Sequence, residues 1–541
     1  MGLLRSFVVG AVPLTESSRA PRALPDPRVS KALSGGAQGS AERGQAGLGV
    51  RGSWKDGPVN LGRWTRRRGW IVGGTLLVVI VLAIAAVIVW PQLVGTNGAE
   101  NGTGATSSTS ATNPSAIPDP PVTIPTPQIV PMKPSDTAPT PAGVTAQLTT
   151  PLANKAVAQL TGIVLDPQTG TTLWQQNAEQ PRLPASTMKL LTGAAVLAST
   201  DPNRRLTTKV VMGEKPGQIV FVGGGDVTLS ARPQGAPTVL PGGPTVADLA
   251  AQIKAAGVQA TSIVLDTSYW NGPEMADGWN ADDIRGTPQD AHGYITKMQA
   301  LMVDADRVDP GNEDSPRTGE PAMTAGKALA HALGKDNLPI SDGQAPPDAK
   351  VIAKVESQPL STLLAQALEQ SDNVLSEALA REAAIARGAP PSFAGVSAAI
   401  MQVLGDMGLS TSGVVIKDGS GMSELDRVPP QVLGKVMAMA VAGKPAIQRI
   451  LLTGLPLAGV SGTLAPPRFS QPDNKAGAGW VRAKTGSLES TYALVGYVPD
   501  QGGRIIVFAF NSAGVLNSET TGTRPALDSL AAALRGCGCS G

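Results

Sequence analysis

Histidine is nearly absent from this chain of 541 residues: only His292 and His331 occur, and they belong to no cluster with metal-ligand spacing. Hydrolytic chemistry in this protein would therefore need a base other than histidine. Cysteine is equally scarce, because Cys537 and Cys539 near the C-terminus are the two that the chain contains. A bridge across one intervening residue would be strained, so the sequence leaves open whether these cysteines form a disulfide or belong to a loose tail.

An excess of charge of either sign is also absent over most of the chain. The net charge is +2, which gives no reason to expect a nucleic-acid partner. Residues 1–68 are the exception, with twelve Lys and Arg against four Asp and Glu. This segment has few apolar side chains to bury, which predicts a disordered basic segment. A misassigned start codon would explain part of it equally well.

One long apolar run interrupts the polar N-terminal part. Ile71 to Val89 carry no charge, and as a helix they would extend about 28 Å, close to the thickness of a bilayer core. Arg63 and Arg66 to Arg68 precede the run, which favours a cytoplasmic N-terminus. We therefore predict a single-pass anchor over residues 69–90, with the remaining chain outside the cytoplasm; a buried core helix is the alternative.

Residues 91–143 are rich in Pro, Ser, Thr and Gly and carry few charges. Such a composition cannot build a core and predicts an extended linker. The globular part should begin near residue 144.

The globular part opens with a hairpin pattern over 162–174 and ends with three strand patterns between residues 481 and 510. Helical patterns dominate between them, which predicts an α+β fold: one antiparallel sheet assembled from both ends of the chain, with helices on its faces. The sequence pattern changes to short strands and helices over residues 207–320, which predicts a small inserted α/β domain. Within it, residues 270–320 are polar and irregular, which predicts surface loops.

The first chemical motif is Ser186-Thr-Met-Lys189. Residues three apart on a helix share a face, and a lysine kept neutral by burial can deprotonate a serine hydroxyl. We predict Ser186 as nucleophile and Lys189 as base. The alternative is a helix-capping serine followed by a surface lysine.

Two further motifs follow in order, Ser371-Asp-Asn373 and Lys484-Thr-Gly486 with Ser487 beside it. The first predicts a proton shuttle and an orienting amide, or else only a helix cap. The second lies on a predicted strand, where a glycine lets an extended peptide approach and where the lysine and hydroxyls can hold a carboxylate. The alternative there is an edge strand protected by lysine.

In this order the three motifs resemble those of penicillin-type serine acyltransferases. The chain resembles the D-alanyl-D-alanine carboxypeptidase/endopeptidase family of penicillin-binding protein 4 type, the S13 peptidases, over about residues 147–535. Five longer strings carry the resemblance: Leu183-Pro-Ala-Ser-Thr-Met-Lys189, Gly223-Gly-Gly-Asp-Val-Thr228, Asp266-Thr-Ser-Tyr-Trp270, Ser371-Asp-Asn-Val-Leu-Ser-Glu377 and Asp418-Gly-Ser-Gly-Met-Ser423.

The resemblance implies the penicillin-binding, serine β-lactamase-like transpeptidase fold, with a peptidase domain over 144–206 and 321–541 and the insert over 207–320. It implies an extracytoplasmic enzyme that needs no cofactor or metal, acts on peptidoglycan stem peptides and is acylated by β-lactam antibiotics.

The resemblance also implies residue roles. Ser186, Lys189 and Ser371 would be catalytic, and the substrate-binding residues would be Asn373, Lys484, Thr485, Gly486, Ser487 and Ser420.

Three other functions remain open at this stage, one of them a membrane-tethered interaction protein in which the motifs occur by chance. A β-lactamase would share the acylation chemistry, although no Glu-x-x-Leu-Asn string is present near Ser371 to position a deacylating water. A non-catalytic penicillin-binding scaffold of the cell wall would share the fold, but it would have no need to keep all three motifs.

Overall fold

The computed structural model describes residues 137–157, 159–287, 291–488, 491–514 and 520–539. The predicted basic segment, the predicted anchor over 69–90 and most of the predicted linker lie outside these residues. No helix in the described ranges combines the length and the apolar composition that crossing a membrane requires.

The described chain forms ten strands and eleven helices, numbered here in chain order. The strands are β1 (Thr161–Leu165), β2 (Thr172–Gln176), β3 (Arg205–Met212), β4 (Gln218–Val222), β5 (Ser262–Asp266), β6 (Ile340–Asp342), β7 (Val351–Pro359), β8 (Arg482–Leu488), β9 (Thr491–Pro499) and β10 (Ile505–Ser512). The helices are α1 (Pro141–Leu152), α2 (Lys189–Ser199), α3 (Val246–Ala255), α4 (Asp282–Arg285), α5 (Pro321–Ala332), α6 (Leu360–Glu369), α7 (Asn373–Ala386), α8 (Phe393–Asp406), α9 (Pro430–Val441), α10 (Gln448–Thr453) and α11 (Thr520–Arg535).

Five strands from the two ends of the described chain form one antiparallel sheet, in the order β2-β1-β10-β9-β8. This confirms the predicted fold class. Alternate side chains of β10 enter two different cores: Val507 and Ala509 pack with α2 and α6 to α9, whereas Phe508 and Phe510 pack with α1 and α11. The strand is apolar from Ile505 to Phe510 because helices cover both faces.

Strand β8 lies at one edge of this sheet. A single bridge joins Arg482 to Leu457, and past that bridge the outer side of β8 has no strand neighbour in the described part of the chain. The backbone from Lys484 to Leu488 is therefore available for an added peptide strand.

A second sheet has the order β6-β5-β4-β3-β7, with parallel pairs β4–β5 and β5–β6. Helices α3 and α5 pack on it through Leu249, Ile253 and Leu329, so its layers are those of a small α/β unit. Strands β6 and β7 complete this sheet, although they come after residue 320, where we placed the end of the insert. The domain boundaries themselves stay a prediction.

The predicted surface loops over 270–320 are irregular, but residues 298 and 300–307 are buried, so that prediction is wrong for this part. Asp306 is fully buried, and its carboxylate accepts hydrogen bonds from Thr296 Oγ1 (2.5 Å) and from the backbone N–H of Gly319 (2.9 Å). Hydrogen-bonded carboxylates of this kind let polar sequence be buried without secondary structure.

The C-terminal cysteines form a disulfide between Cys537 and Cys539, which answers the question that the sequence left open. The backbone N–H of Thr140 donates to the carbonyl of Cys539 (2.9 Å). The start of α1 is thereby joined to the C-terminal segment.

Candidate active site

Ser186 and Lys189 lie in hydrogen-bond contact at the start of α2. A short 3₁₀ helix, Ala185–Met188, leads directly into α2, and in a 3₁₀ helix side chains three residues apart eclipse each other. Lys189 Nζ accordingly lies 2.9 Å from Ser186 Oγ. Ala185 has φ of +47°, a left-handed conformation that non-glycine residues adopt at an energetic cost. The turn that presents Ser186 is thus held in place by its surroundings.

The amine of Lys189 is surrounded by acceptors. The side chain is 1% exposed, and Nζ also lies 2.6 Å from Asn373 Oδ1 and 2.7 Å from the carbonyl oxygen of Ser420. Burial lowers the pKa of Lys189 to about 8, against the opposing charges of Asp418, Asp372 and Glu377. A substantial fraction of this amine is therefore neutral near physiological pH, as a base must be.

Ser371 and Lys484 form a second serine–lysine contact. Lys484 Nζ donates to Ser371 Oγ (2.7 Å) and to the carbonyl of Thr485 (3.0 Å). Burial, together with the charge of Lys189, holds the pKa of Lys484 well below its usual range. Ser371 follows α6 and has φ of +59°, so a strained backbone again presents the hydroxyl.

Lys484 lies in a different environment from the one that we expected for a direct carboxylate contact, and that contact stays a prediction. Its side chain is fully buried, and its ammonium contacts Ser371 instead of opening into the cleft. The hydroxyl-bearing residues Thr485 and Ser487 do line the cleft, and Thr485 Oγ1 donates to Thr463 Oγ1 (2.8 Å).

Gly486 is also placed differently. We predicted that its missing side chain leaves room for a substrate. A Cβ atom at Gly486 would instead lie 2.7 Å from the carbonyl oxygen of Pro184 and 3.2 Å from Thr187 Cγ2. The glycine therefore lets β8 pack against the turn that carries Ser186, and in this way it sets the distance between the nucleophile and the strand.

Ser420 does not contact the cleft with its side chain as predicted, because the residue is fully buried. Its contribution is the backbone carbonyl that accepts from Lys189. Glu377 Oε1 holds this loop by accepting from the backbone N–H groups of Gly419 (2.8 Å) and Ser420 (2.7 Å). Asp418 Oδ1 accepts from the N–H of Gly421 (2.6 Å).

These two buried carboxylates were not among the predicted site residues. Glu377 lies one helical turn after Asn373 on α7, and burial followed by the charge of Asp418 raises its pKa to about 7. Both residues occur in strings that carried the family resemblance, which is the signal that could have identified them. No periodicity or spacing argument distinguishes them from ordinary helix and loop residues.

Residues 291–320 form the opposite wall of the site. Asp372 caps α7 by accepting from the N–H of Leu375 (2.7 Å), and its other oxygen accepts from Arg307 Nη2 (2.6 Å). Asn373 Nδ2 donates to the carbonyl of Tyr294 (2.9 Å). The Ser371-Asp-Asn373 motif therefore caps α7, and it also connects the proposed catalytic groups to this wall by hydrogen bonds.

Together these groups surround a cleft of about 680 Å³. Its lining includes Ser186, Ser371, Asn373, Thr485, Ser487, Tyr294, Arg307, Arg317, Glu313, Thr463, Arg468, Tyr492 and Arg524. The structure thus brings the three motifs to one site, with Lys189 and Lys484 buried beneath it. Among the described residues no group of three or more His, Cys, Asp or Glu side chains could hold a metal ion.

Comparison with known proteins places this arrangement in a family. The model of the D-Ala-D-Ala carboxypeptidase 3 (S13) family matches residues 144–324 and 312–534. Carboxypeptidase DacB of Mycolicibacterium smegmatis is 40% identical over 88% of this chain and 99% of its own length. Carboxypeptidase Rv3627c of Mycobacterium tuberculosis is 39% identical over 76% of this chain and 88% of its own length.

A solved structure shares the fold. Penicillin-binding protein 4 (dacB) from Haemophilus influenzae superposes with a TM-score of 0.57 at 19% identity, covering 72% of this chain and 97% of that protein. The motifs, the antiparallel sheet and these relatives lead to one conclusion: the chain belongs to the D-Ala-D-Ala carboxypeptidase 3 (S13) family.

Proposed function

We propose that this chain is a serine DD-carboxypeptidase, a DD-endopeptidase or both, cleaving D-Ala-terminated or cross-linked peptidoglycan stem peptides through an acyl-enzyme. One observation carries the proposal: Lys189 Nζ, buried and with a pKa lowered to about 8, lies 2.9 Å from Ser186 Oγ. The family membership and the relatives named carboxypeptidases support the same reaction.

In the acylation step, neutral Lys189 takes the proton of Ser186 while Oγ attacks the carbonyl carbon of the penultimate D-Ala. The backbone N–H groups of Ser186 and Ser487 are the proposed donors to the oxyanion, an interaction worth about 3–4 kcal/mol per donor in other enzymes. The amide C–N bond then breaks and the serine ester remains.

The leaving amine needs a proton, and Ser371 is the proposed relay. Its hydroxyl accepts from Lys484 Nζ at 2.7 Å, so a proton that Ser371 gives to the amine can be replaced from the lysine. Water then attacks the ester carbonyl, the ester C–O bond breaks, and a proton of the water goes to Ser186 Oγ as the acid product leaves. The proton that Lys189 took during acylation passes to Lys484, which restores the starting state of both lysines.

The substrate would lie along the open edge of β8. Thr485 and Ser487 are the proposed ligands of the terminal carboxylate, with the Lys484 side chain beneath them. Asn373 is the proposed orienting residue for the peptide, because its amide already joins Lys189 to the wall that Tyr294 contributes.

Two properties of the whole protein belong to the same proposal. β-Lactams would acylate Ser186, because they present a strained amide and a carboxylate to the same groups. The catalytic region would lie outside the cytoplasm, anchored by the apolar run of residues 69–90, which the sequence supports through its length and the arginines before it.

The test combines labelling with product analysis. Wild type should form a stoichiometric covalent adduct with fluorescent penicillin and release D-Ala or a second stem peptide from defined muropeptides, seen by mass spectrometry. Ser186→Ala should do neither, whereas the matched control Ser410→Ala, an exposed serine outside the cleft, should behave as wild type. An adduct on Ser186→Ala would refute the nucleophile assignment, and nitrocefin turnover at many cycles per second would indicate a β-lactamase instead.

A further inference from the structure

A second cavity of about 360 Å³ adjoins the catalytic cleft. Three residues line both spaces: Arg468, Tyr492 and Arg524. The remaining lining residues are Pro467, Phe469, Gln471, Asn474, Pro525 and Asp528. None of the predicted site residues is among them, so the catalytic steps above leave this space without a role.

The cavity lies on the side of the cleft where the proposed carboxylate ligands are. Tyr492 on β9 is the direct partner of Ser487 on β8. Thr463, which contacts Thr485, lies five positions before Arg468 on the same connecting segment. The wall built by Tyr294 and Arg307 is instead joined to Asn373 and Asp372. A substrate lying along β8 would therefore extend toward the second cavity at its leaving-group end.

The shared wall suits an anion. Asp528 accepts from Arg468 Nε (2.7 Å) and Nη2 (2.5 Å), and this carboxylate is buried, so the charge of Arg468 is already matched. Arg524 is exposed, and its guanidinium lies over the Tyr492 ring, 5.1 Å from the centroid. The face of a tyrosine ring attracts a guanidinium group, and the planar guanidinium carries its N–H groups in a fork that matches a carboxylate.

The two substrates of the proposed function differ at this end. When the substrate is a single stem peptide, the leaving group is D-Ala, which ends at the carboxylate next to Thr485 and Ser487. When the substrate is cross-linked, the leaving amine belongs to a second stem peptide, which continues beyond the scissile bond and carries further carboxylates. Arg524 lines both spaces, but the second cavity itself lies beyond the D-Ala carboxylate and would be filled by the leaving strand of the cross-linked substrate.

We propose that the second cavity binds the leaving strand of a cross-linked stem peptide, and that Arg524 recognises a carboxylate on that strand. This inference rests on the proposed function and deepens it, because it names the cavity and the arginine that would receive the leaving strand of the cross-linked substrate. The chemistry is unchanged: the amide C–N bond breaks, the ester to Ser186 Oγ forms, and the amine of the leaving strand takes the proton.

The experiment compares kcat/KM for a monomeric D-Ala-D-Ala muropeptide and a D,D-cross-linked muropeptide dimer, using the full-length chain in detergent. In Arg524→Ala we expect the dimer-to-monomer ratio to fall about tenfold, the usual effect of losing one charge-assisted hydrogen bond. Arg524→Lys keeps the charge but lacks the planar fork of N–H groups. Its dimer-to-monomer ratio should lie between those of wild type and Arg524→Ala. Arg535→Ala is the matched control, since Arg535 lies on the same helix, stacks on Trp480 at 4.2 Å and lines neither cavity; its ratio should equal that of wild type.

A third substrate separates charge from shape. When the leaving strand of the dimer has its carboxylates amidated, wild type and Arg524→Ala should give the same ratio. The inference is overturned if Arg524→Ala keeps the wild-type ratio, if the amidated dimer shows the same tenfold loss, or if wild type cleaves the monomer but not the dimer. Wild type that is acylated by penicillin and cleaves neither substrate would overturn the proposed function itself.

Discussion

Lys189 and Lys484 lie in one buried site, each with its ammonium hydrogen-bonded to a different serine, and the charge of Lys189 lowers the pKa of Lys484. Two buried cations side by side are unfavourable when both are charged. Their mutual repulsion therefore favours states in which at least one amine is neutral. The site is arranged so that a proton can enter or leave it without an imidazole.

The pKa of Lys189 predicts the pH dependence of acylation. Only the neutral amine can act as base, and its fraction rises with pH through the pKa of about 8. The second-order rate of acylation by fluorescent penicillin should therefore increase about tenfold per pH unit below pH 7 and level off above pH 9. Stopped-flow or quenched labelling from pH 6 to 9.5 measures this. A rate that does not change over this range would contradict the assignment of Lys189 as base.

Glu377→Gln should move that profile to lower pH. Above its own pKa of about 7, Glu377 is charged and raises the pKa of Lys189. Removing that charge should lower the pKa of Lys189, while the amide oxygen of glutamine can still accept from Gly419 and Ser420. The variant should also lose about 3–5 kcal/mol of unfolding free energy, because Arg381, 1% exposed, loses its ion-pair partner.

The matched control for this variant is Glu382→Gln, on the same helix. Glu382 is a buried carboxylate that pairs with Arg204, and it is not among the groups that shift the pKa of Lys189. Glu382→Gln should lower the free energy of unfolding without moving the pH profile of acylation. If both variants moved the profile equally, a general loosening of α7 would be the cause.

Gly421→Ala should abolish acylation. Gly421 has φ of +82°, and a Cβ there would lie 1.9 Å from the carbonyl oxygen of Ala185, the residue before the nucleophile. The turn that presents Ser186 would have to move. Gly479→Ala separates this clash from backbone strain, since Gly479 has φ of +75° with no atom within 4 Å of its missing Cβ.

The control variant Gly479→Ala should lose about 1 kcal/mol of unfolding free energy and keep the wild-type labelling rate. Thermal melts and penicillin labelling of both variants check the pair. Normal labelling by Gly421→Ala would show that the contact with Ala185 does not position the nucleophile.

The ion pair between Asp372 and Arg307 predicts a non-additive stability cycle. Both side chains are nearly fully buried, so Asp372→Asn should cost about 3–5 kcal/mol by leaving Arg307 uncompensated. The double variant Asp372→Asn with Arg307→Met should recover part of that loss. Urea unfolding of the two single variants and the double variant measures the coupling, and strictly additive losses would contradict it.

The ion pair between Asp372 and Arg307 also makes the free energy of unfolding depend on pH in the acid range. Burial alone would raise the pKa of Asp372, but Arg307 outweighs it and the pKa is lowered in the folded protein. The stabilisation is therefore fully present above the ordinary aspartate pKa and is lost as the pH falls through the lower folded value. The unfolding free energy of wild type should decline more steeply in that window than that of the double variant.

The sequence alone was sufficient for the fold class, and it named residues that the structure brings to one cleft, whose catalytic roles stay a proposal. Hydrophobic patterning at the two ends predicted the hairpin and the three strands that meet in one sheet, because alternation along a strand is a local property. The order of the three motifs predicted Ser186, Lys189 and Ser371 as neighbours, and the structure brings them to one cleft.

Where each group points was decided only by the tertiary structure. Ser420 meets Lys189 across 231 positions and Lys484 meets Ser371 across 113, and contacts between residues so far apart leave no local periodicity. For that reason the sequence could not predict that Lys484, Gly486 and Ser420 are buried beneath the cleft, and their roles toward a substrate stay a prediction. Hydrogen bonding likewise buried the polar segment around Asp306, because a satisfied carboxylate no longer needs water.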